Sequence, residues 1–153
     1  MKGGDFMKNN PLSTLFVGID VSSKTNVLCA LDFNGNKLLN LEALNNQPGA
    51  ESILESIIDC LNSNSLKNAV IAVESTSIYS THIANFLSSN EILLSYNPVV
   101  YCLNPKTIAN YRKSFVDIDK TDPLDAYIIA DFARCGRITT TPLYLSTENS
   151  PKI

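Results

Sequence analysis

Four carboxylates in this chain stand where chemistry would need them. Asp20 is the only charged residue in the apolar run LFVGIDV (15–21), and Glu74 ends the apolar run NAVIAVE (68–74). Asp122 and Asp125 stand three apart in KTDPLDA, at the head of a further apolar stretch. With no histidine or cysteine pair near them, four gathered carboxylates suit a hard divalent ion such as Mg²⁺ or Mn²⁺. Two such ions roughly 3.5–4 Å apart stabilise the attacking and leaving oxygens of a phosphodiester displacement.

Each acid also has an ordinary explanation. Asp20 could be a strand-end aspartate reaching a turn, and Glu74 an exposed strand terminus. Asp122 reads as an N-cap, Pro123 as the first helical residue, and Asp125 as a carboxylate facing the positive end of the helix dipole. Capping explains where the last two lie along the axis, but not around it. At 100° per residue, Asp122, Asp125, Ile129 and Phe132 share one stripe, flanked by Ala126, Ile128 and Ala133. Pro123, Tyr127, Asp131, Arg134 and Arg137 take the opposite arc. Both aspartates therefore turn toward the core, a costly arrangement unless they are paired, hydrogen-bonded or bound to metal.

The elements that must position these acids follow from periodicity. LFVGIDV, NVLCALD (26–32) and KLLNLEAL (37–44) are strand-length runs separated by short polar turns, the second turn carrying Asn34-Gly35, and they predict an antiparallel meander. Residues 48–64 carry Ile53, Leu54, Ile57, Ile58 and Leu61 at helical spacing. NAVIAVE reads as a strand buried on both faces, with its carboxyl edge at Glu74, where open α/β sheets bind ligands. A helix over about 76–89 follows, then a strand in EILLSYNPVVYCLNP interrupted at Asn97-Pro98. A short helix over about 105–115 and a last helix over 122 to about 135 close the core. The order β-β-β-α-β-α-β-α-α predicts an α/β, ribonuclease H-like mixed sheet with helices on both faces. Residues 1–14 read as a flexible N-terminus, and 138–153 as the start of a linker.

The 153 residues, 44% apolar and 18% charged, fit one globular domain. No apolar run reaches membrane-span length, and the first residues have no signal-peptide core, so the cytoplasm is the expected location. Cys29, Cys60, Cys102 and Cys135 form no C-x-x-C pair and are expected to be reduced, buried thiols. His82, the single histidine, has no partner histidine and reads as structural or surface. A net charge of −3 argues against nucleic-acid binding by bulk attraction, although acids that hold cations would themselves lower the formal charge. Just before the last helix lies a basic, aromatic-interleaved segment: Lys106, Tyr111, Arg112, Lys113, Phe115 and Lys120. It is either a solvated face or an edge that contacts phosphate.

VGIDVSSKTNVLCALDFNG, VESTSIY, LNP and KTDPLDAYIIADFARCGRI together resemble the N-terminal domain of bacterial IS-one-ten family insertion-sequence transposases. The resemblance covers roughly residues 15–140. It implies a RuvC-like DEDD domain over 15–137, with the tetrad on Asp20, Glu74, Asp122 and Asp125 holding Mg²⁺ or Mn²⁺, two ions together. Also implied are DNA strand exchange, a structured guide RNA, assembly as dimers or higher oligomers, and a bacterial cytoplasmic setting. Ser77 stands where many members have glycine. Family members continue through a helical linker into a second domain with a conserved serine, so this chain resembles the N-terminal part alone.

Two other readings share the fold. In one, the domain is a non-catalytic module that docks RNA, DNA or a partner subunit. In the other it is an actin- or sugar-kinase-like ATP-binding domain, which also begins with a G-I-D strand. In that case glycines should follow the aspartate to let backbone amides cradle phosphate, whereas this chain has VSSKTN.

Overall fold

The computed structural model describes residues 10–74, 78–114, 124–136, 138, 142 and 143. Five strands form one sheet: β1 (Thr14–Val21), β2 (Thr25–Leu31), β3 (Lys37–Leu44), β4 (Asn68–Glu74) and β5 (Val99–Leu103). Their order is β3-β2-β1-β4-β5. The first three are antiparallel neighbours, as the meander requires, while β4 runs parallel to β1 and β5 parallel to β4. Gly35, at φ +87°, makes the tight turn between β2 and β3, and Asn36 N–H donates to the Asp32 carboxylate at 2.9 Å.

The helices among the described residues are α1 (Gln47–Ser63), α2 (Tyr79–Ser89), α3 (Glu91–Leu94), α4 (Pro105–Arg112) and α5 (Leu124–Arg134). The start of α1 is set by Asn46, whose side chain accepts from Gly49 N–H at 2.9 Å. Its buried Ile53, Leu54, Ile57 and Leu61 join Leu15, Val17, Ile19, Ile71, Val73, Ile83 and Leu87 in the core on one face of the sheet. On the other face, Phe16, Ala72 and Leu103 pack against Ile108 of α4 and Ile128, Ile129 and Phe132 of α5. The expected mixed sheet, covered by helices on both faces, is the observed one.

One local reading needs correction. The stretch from Glu91 does not enter a strand directly. Asn90 caps a short helix by accepting from Leu93 N–H at 3.0 Å, Asn97 turns at φ +50°, and β5 begins only after Pro98. The cap and the left-handed residue outweigh the apolar content of Ile92, Leu93 and Leu94. Leu143, within the stretch read as the start of a linker, donates its N–H to Val100 O at 2.6 Å as an isolated bridge on the outer edge of β5.

A close backbone-to-backbone approach joins α5 to β1. A Cβ on Gly18 would stand 2.3 Å from Ala130 N and 2.4 Å from Ala126 O. Both obstacles are backbone, so neither can rotate away. Gly18→Ala is therefore expected to push α5 off the sheet and destabilise the chain at the upper end of the roughly 1–3 kcal/mol typical of overpacking. Urea denaturation should show a lower midpoint, and an unchanged midpoint would rule out this approach.

Candidate active site at the carboxyl edge

Strand register brings the first two acids together. β1 and β4 pair in parallel from Thr14–Asn68 to Ile19–Val73, so the next positions are Asp20 and Glu74. Side chains alternate along a strand. Ile19 and Val73 face the α1 side, so Asp20 and Glu74 share the opposite face with Gly18 and Ala72. That is the face covered by α5.

The third acid arrives on the helix. Because Ala126 and Ala130 lie on Gly18, and Phe132 on the cluster around Phe16, α5 runs antiparallel to β1. Its first turn therefore sits over the carboxyl end of the strand, which sets the Asp125 carboxylate close enough to Asp20 to raise that acid's affinity for a proton. Ala126, Ile128, Ile129, Phe132 and Ala133 are all buried, as the stripe predicted. Asp122 and Lys120 lie outside the described residues.

The electrostatics fit a site assembled from like charges. Burial, then the Asp125 charge, push the Asp20 carboxyl above the ordinary carboxylate range, and the Arg112 guanidinium opposes this. Glu74 is raised as well, by burial first and then by Asp20 and Asp125, again against Arg112. Carboxylates this close repel one another, and a hard divalent ion among them would relieve that repulsion. Among the described residues, no three histidine, cysteine, aspartate or glutamate side chains close into a metal cage. The donor set is thus chemically suited to a divalent ion, with its fourth candidate outside the described residues.

Arg112, which the sequence offered to phosphate, forms an ion pair with Asp125. Lys106 and Lys113 are exposed on and just beyond α4. Asp131 departs most from the helical-wheel reading, which gave it to solvent. It is only 4% exposed, accepts from Tyr111 Oη at 2.6 Å, and accepts from Arg134 Nε at 2.9 Å. Arg134 also donates to Phe33 O at 3.1 Å, tying α5 to the β2–β3 turn. The wheel failed there because α4 and the hairpin cover what would otherwise be the outer face of α5. The cysteines divide similarly: Cys29 and Cys60 are buried and Cys102 partly so, but Cys135 is exposed. Burial pushes the Cys29 thiol up to about 11, leaving it protonated and inert.

A mixed sheet in this order, with acids at the carboxyl ends of β1 and β4 and a helix bringing a third, defines a ribonuclease H-like fold of the RuvC kind. Two solved structures are similar in fold. The structure of Thermus thermophilus RuvC matches with a TM-score of 0.54 at 17% identity, over 84% of this chain and 99% of that one. T. thermophilus RuvC in complex with Holliday junction substrate matches with a TM-score of 0.53 at 13% identity, over 85% and 99%. No curated protein matches significantly. The model of the DEDD transposase family of the IS110 (IS-one-ten) type, described as "Transposase", matches residues 17–151. The chain belongs to that family, and it is a catalytic domain of a DNA transposase with a RuvC-like fold. Among the described residues, no helix is long and apolar enough to cross a membrane.

The raised Asp20 carboxyl makes a signed expectation. Its folded value lies above the ordinary 3.8, so the folded chain holds this proton more tightly than the unfolded chain does. The stability it contributes is complete below the ordinary value and is lost as pH rises through the raised one. Asp20→Asn never ionises, so in chelator it should become progressively more stable than the parent between about pH 4 and 7. Thermal melts of both proteins across that range check this, and a pH-independent difference would contradict it.

Proposed function

We propose that Asp20, Glu74, Asp122 and Asp125 are the catalytic and metal-holding set with which this transposase domain breaks and joins DNA phosphodiester bonds. The observation that carries the proposal is the meeting of Asp20, at the same register as Glu74 on adjacent parallel strands, with Asp125 on the first turn of α5. The ions would be Mg²⁺ or Mn²⁺, two of them, and when bound would stabilise the attacking and leaving oxygens of the strand-transfer step.

The chain's own residues do the positioning. β1 and β4 hold Asp20 and Glu74 on rigid backbone, so the two carboxyls approach from one side. Asp125, with Asp122 proposed beside it, approaches from the helix. The positive end of the α5 dipole favours negative charge in the same place. Lys106, Arg112, Lys113 and Lys120 are proposed as a weak phosphate-contacting edge next to the acids.

The wider setting is proposed from the family. It comprises DNA as substrate, a structured guide RNA, a dimer or higher oligomer in the full-length protein, and the bacterial cytoplasm. Residues 15–137 would form the catalytic domain, and 138–153 would lead into a linker.

Mutation in the full-length transposase tests the assignment. Asp122→Ala and Asp125→Asn should each lower recombination in a two-plasmid assay by more than about 100-fold, since losing even a residue that only supports a ligand costs about 10–100-fold. Chelating divalent metal should abolish strand transfer, and Mg²⁺ or Mn²⁺ should restore it. Recombination that largely survives Asp122→Ala would instead favour a docking module.

A further inference from the structure

Arg112 is placed with care for a residue on the rim of the molecule. It is the last residue of α4, whose start is fixed by Asn104 accepting from Lys106 N–H at 2.8 Å. The end of α4 is fixed one residue earlier. Tyr111 donates to the buried Asp131 at 2.6 Å and packs edge-on against Phe132, with ring centroids 5.2 Å apart. Burial and the bond to Asp131 raise the Tyr111 phenol far above its ordinary range, so it stays a neutral donor. This clamp on the middle of α5 delivers the Arg112 guanidinium to Asp125 at the helix start.

The field of that guanidinium also reaches Asp20 and Glu74, favouring the ionised form of each. One always-charged, monovalent group thus serves three carboxyls. It offsets their repulsion only in part, because both acids remain raised. The Arg112 and Asp125 side chains are 45% and 43% exposed, and ion pairs at such sites are weak and readily exchanged.

We propose that Arg112 is the resident counter-cation of the carboxylate site. Its guanidinium holds Asp125 while no divalent ion is bound, and a divalent ion displaces it on binding. The inference rests on the reading of these acids as a metal site and adds a competitor to it. The pair lessens the repulsion among the metal-free acids, at the cost of weaker metal binding. Once displaced, the guanidinium lies beside the site with its charge uncommitted.

Mn²⁺ titrated into the 153-residue chain, with free Mn²⁺ read by electron paramagnetic resonance, tests this without any assay of activity. Arg112→Gln should bind Mn²⁺ roughly three- to tenfold more tightly than the parent, the scale of one close charge pair at a partly exposed position. Arg112→Lys keeps the charge but loses the planar fork, and should fall between the two. Unchanged or weaker binding by Arg112→Gln overturns the proposal. If Asp20→Asn abolishes Mn²⁺ binding in that same case, the metal site stands and only the counter-cation falls. Absence of Mn²⁺ binding by the parent chain would overturn both.

Discussion

The carboxyl edge depends on the approach of a helix backbone to a strand backbone at Gly18. Every other residue at that position would place a Cβ inside the backbone of α5 at Ala126 and Ala130. The small residues on the helix and the missing side chain on the strand let two elements meet more closely than ordinary side-chain packing allows. The consequence is positional. With Ala126 seated on Gly18, the residue before it reaches the residue two further along β1, and Asp125 meets Asp20. A helix standing farther off would leave those carboxyls apart, each solvated in its own water.

Packing and charge oppose each other here. The apolar faces of α5 and β1 favour the docked arrangement, with Ile128, Ile129 and Phe132 buried against Phe16 and Ala72. The acids at one end resist it, since Asp125 raises the affinity of Asp20 for a proton and both raise that of Glu74. Asp131, farther down the same helix, shows the opposite solution. It is more deeply buried than the edge acids but fully engaged by Tyr111 and Arg134, so its charge binds α4 and the β2–β3 turn to α5. One helix therefore carries an acid that secures it and another that strains against its neighbours, an imbalance typical of sites built for a ligand.

Much of this arrangement is legible in the amino-acid sequence alone. The lone charge in LFVGIDV and the acid ending NAVIAVE mark the two strand ends, because a carboxylate at the end of an apolar strand has few places to be except an edge. The inward stripe of α5 is readable at 3.6-residue spacing, and the buried residues follow it. What escapes a reading of the residues is whatever depends on a neighbour distant along the chain. Asp131 looks solvent-facing until α4 and the hairpin cover it, and Arg112 looks available to phosphate until Asp125 is placed next to it. Cys135 fails for a simpler reason, since it lies just past the last helical turn and stays exposed although Tyr111 Oη reaches its Sγ at 3.4 Å. Gly18 does carry a signal: a glycine inside an apolar strand marks a close backbone approach. The partner, α5, is not specified by that signal.

The strand order has one more consequence, and it concerns time. Asp20 belongs to the first strand and Asp125 to the last helix, and they meet only after more than a hundred intervening residues have been made and folded. During synthesis β1, β2 and β3 can pair as a local hairpin sheet, and β4 can add alongside once α1 has crossed over. At that stage Asp20 and Glu74 are already adjacent, but the helix that completes the set is still to come. A growing chain thus carries only part of these acids until α5 is made, and the loop from Asp20 to Asp125 is among the costlier ones to close. The topology delays assembly of this acidic edge until α5 has been made.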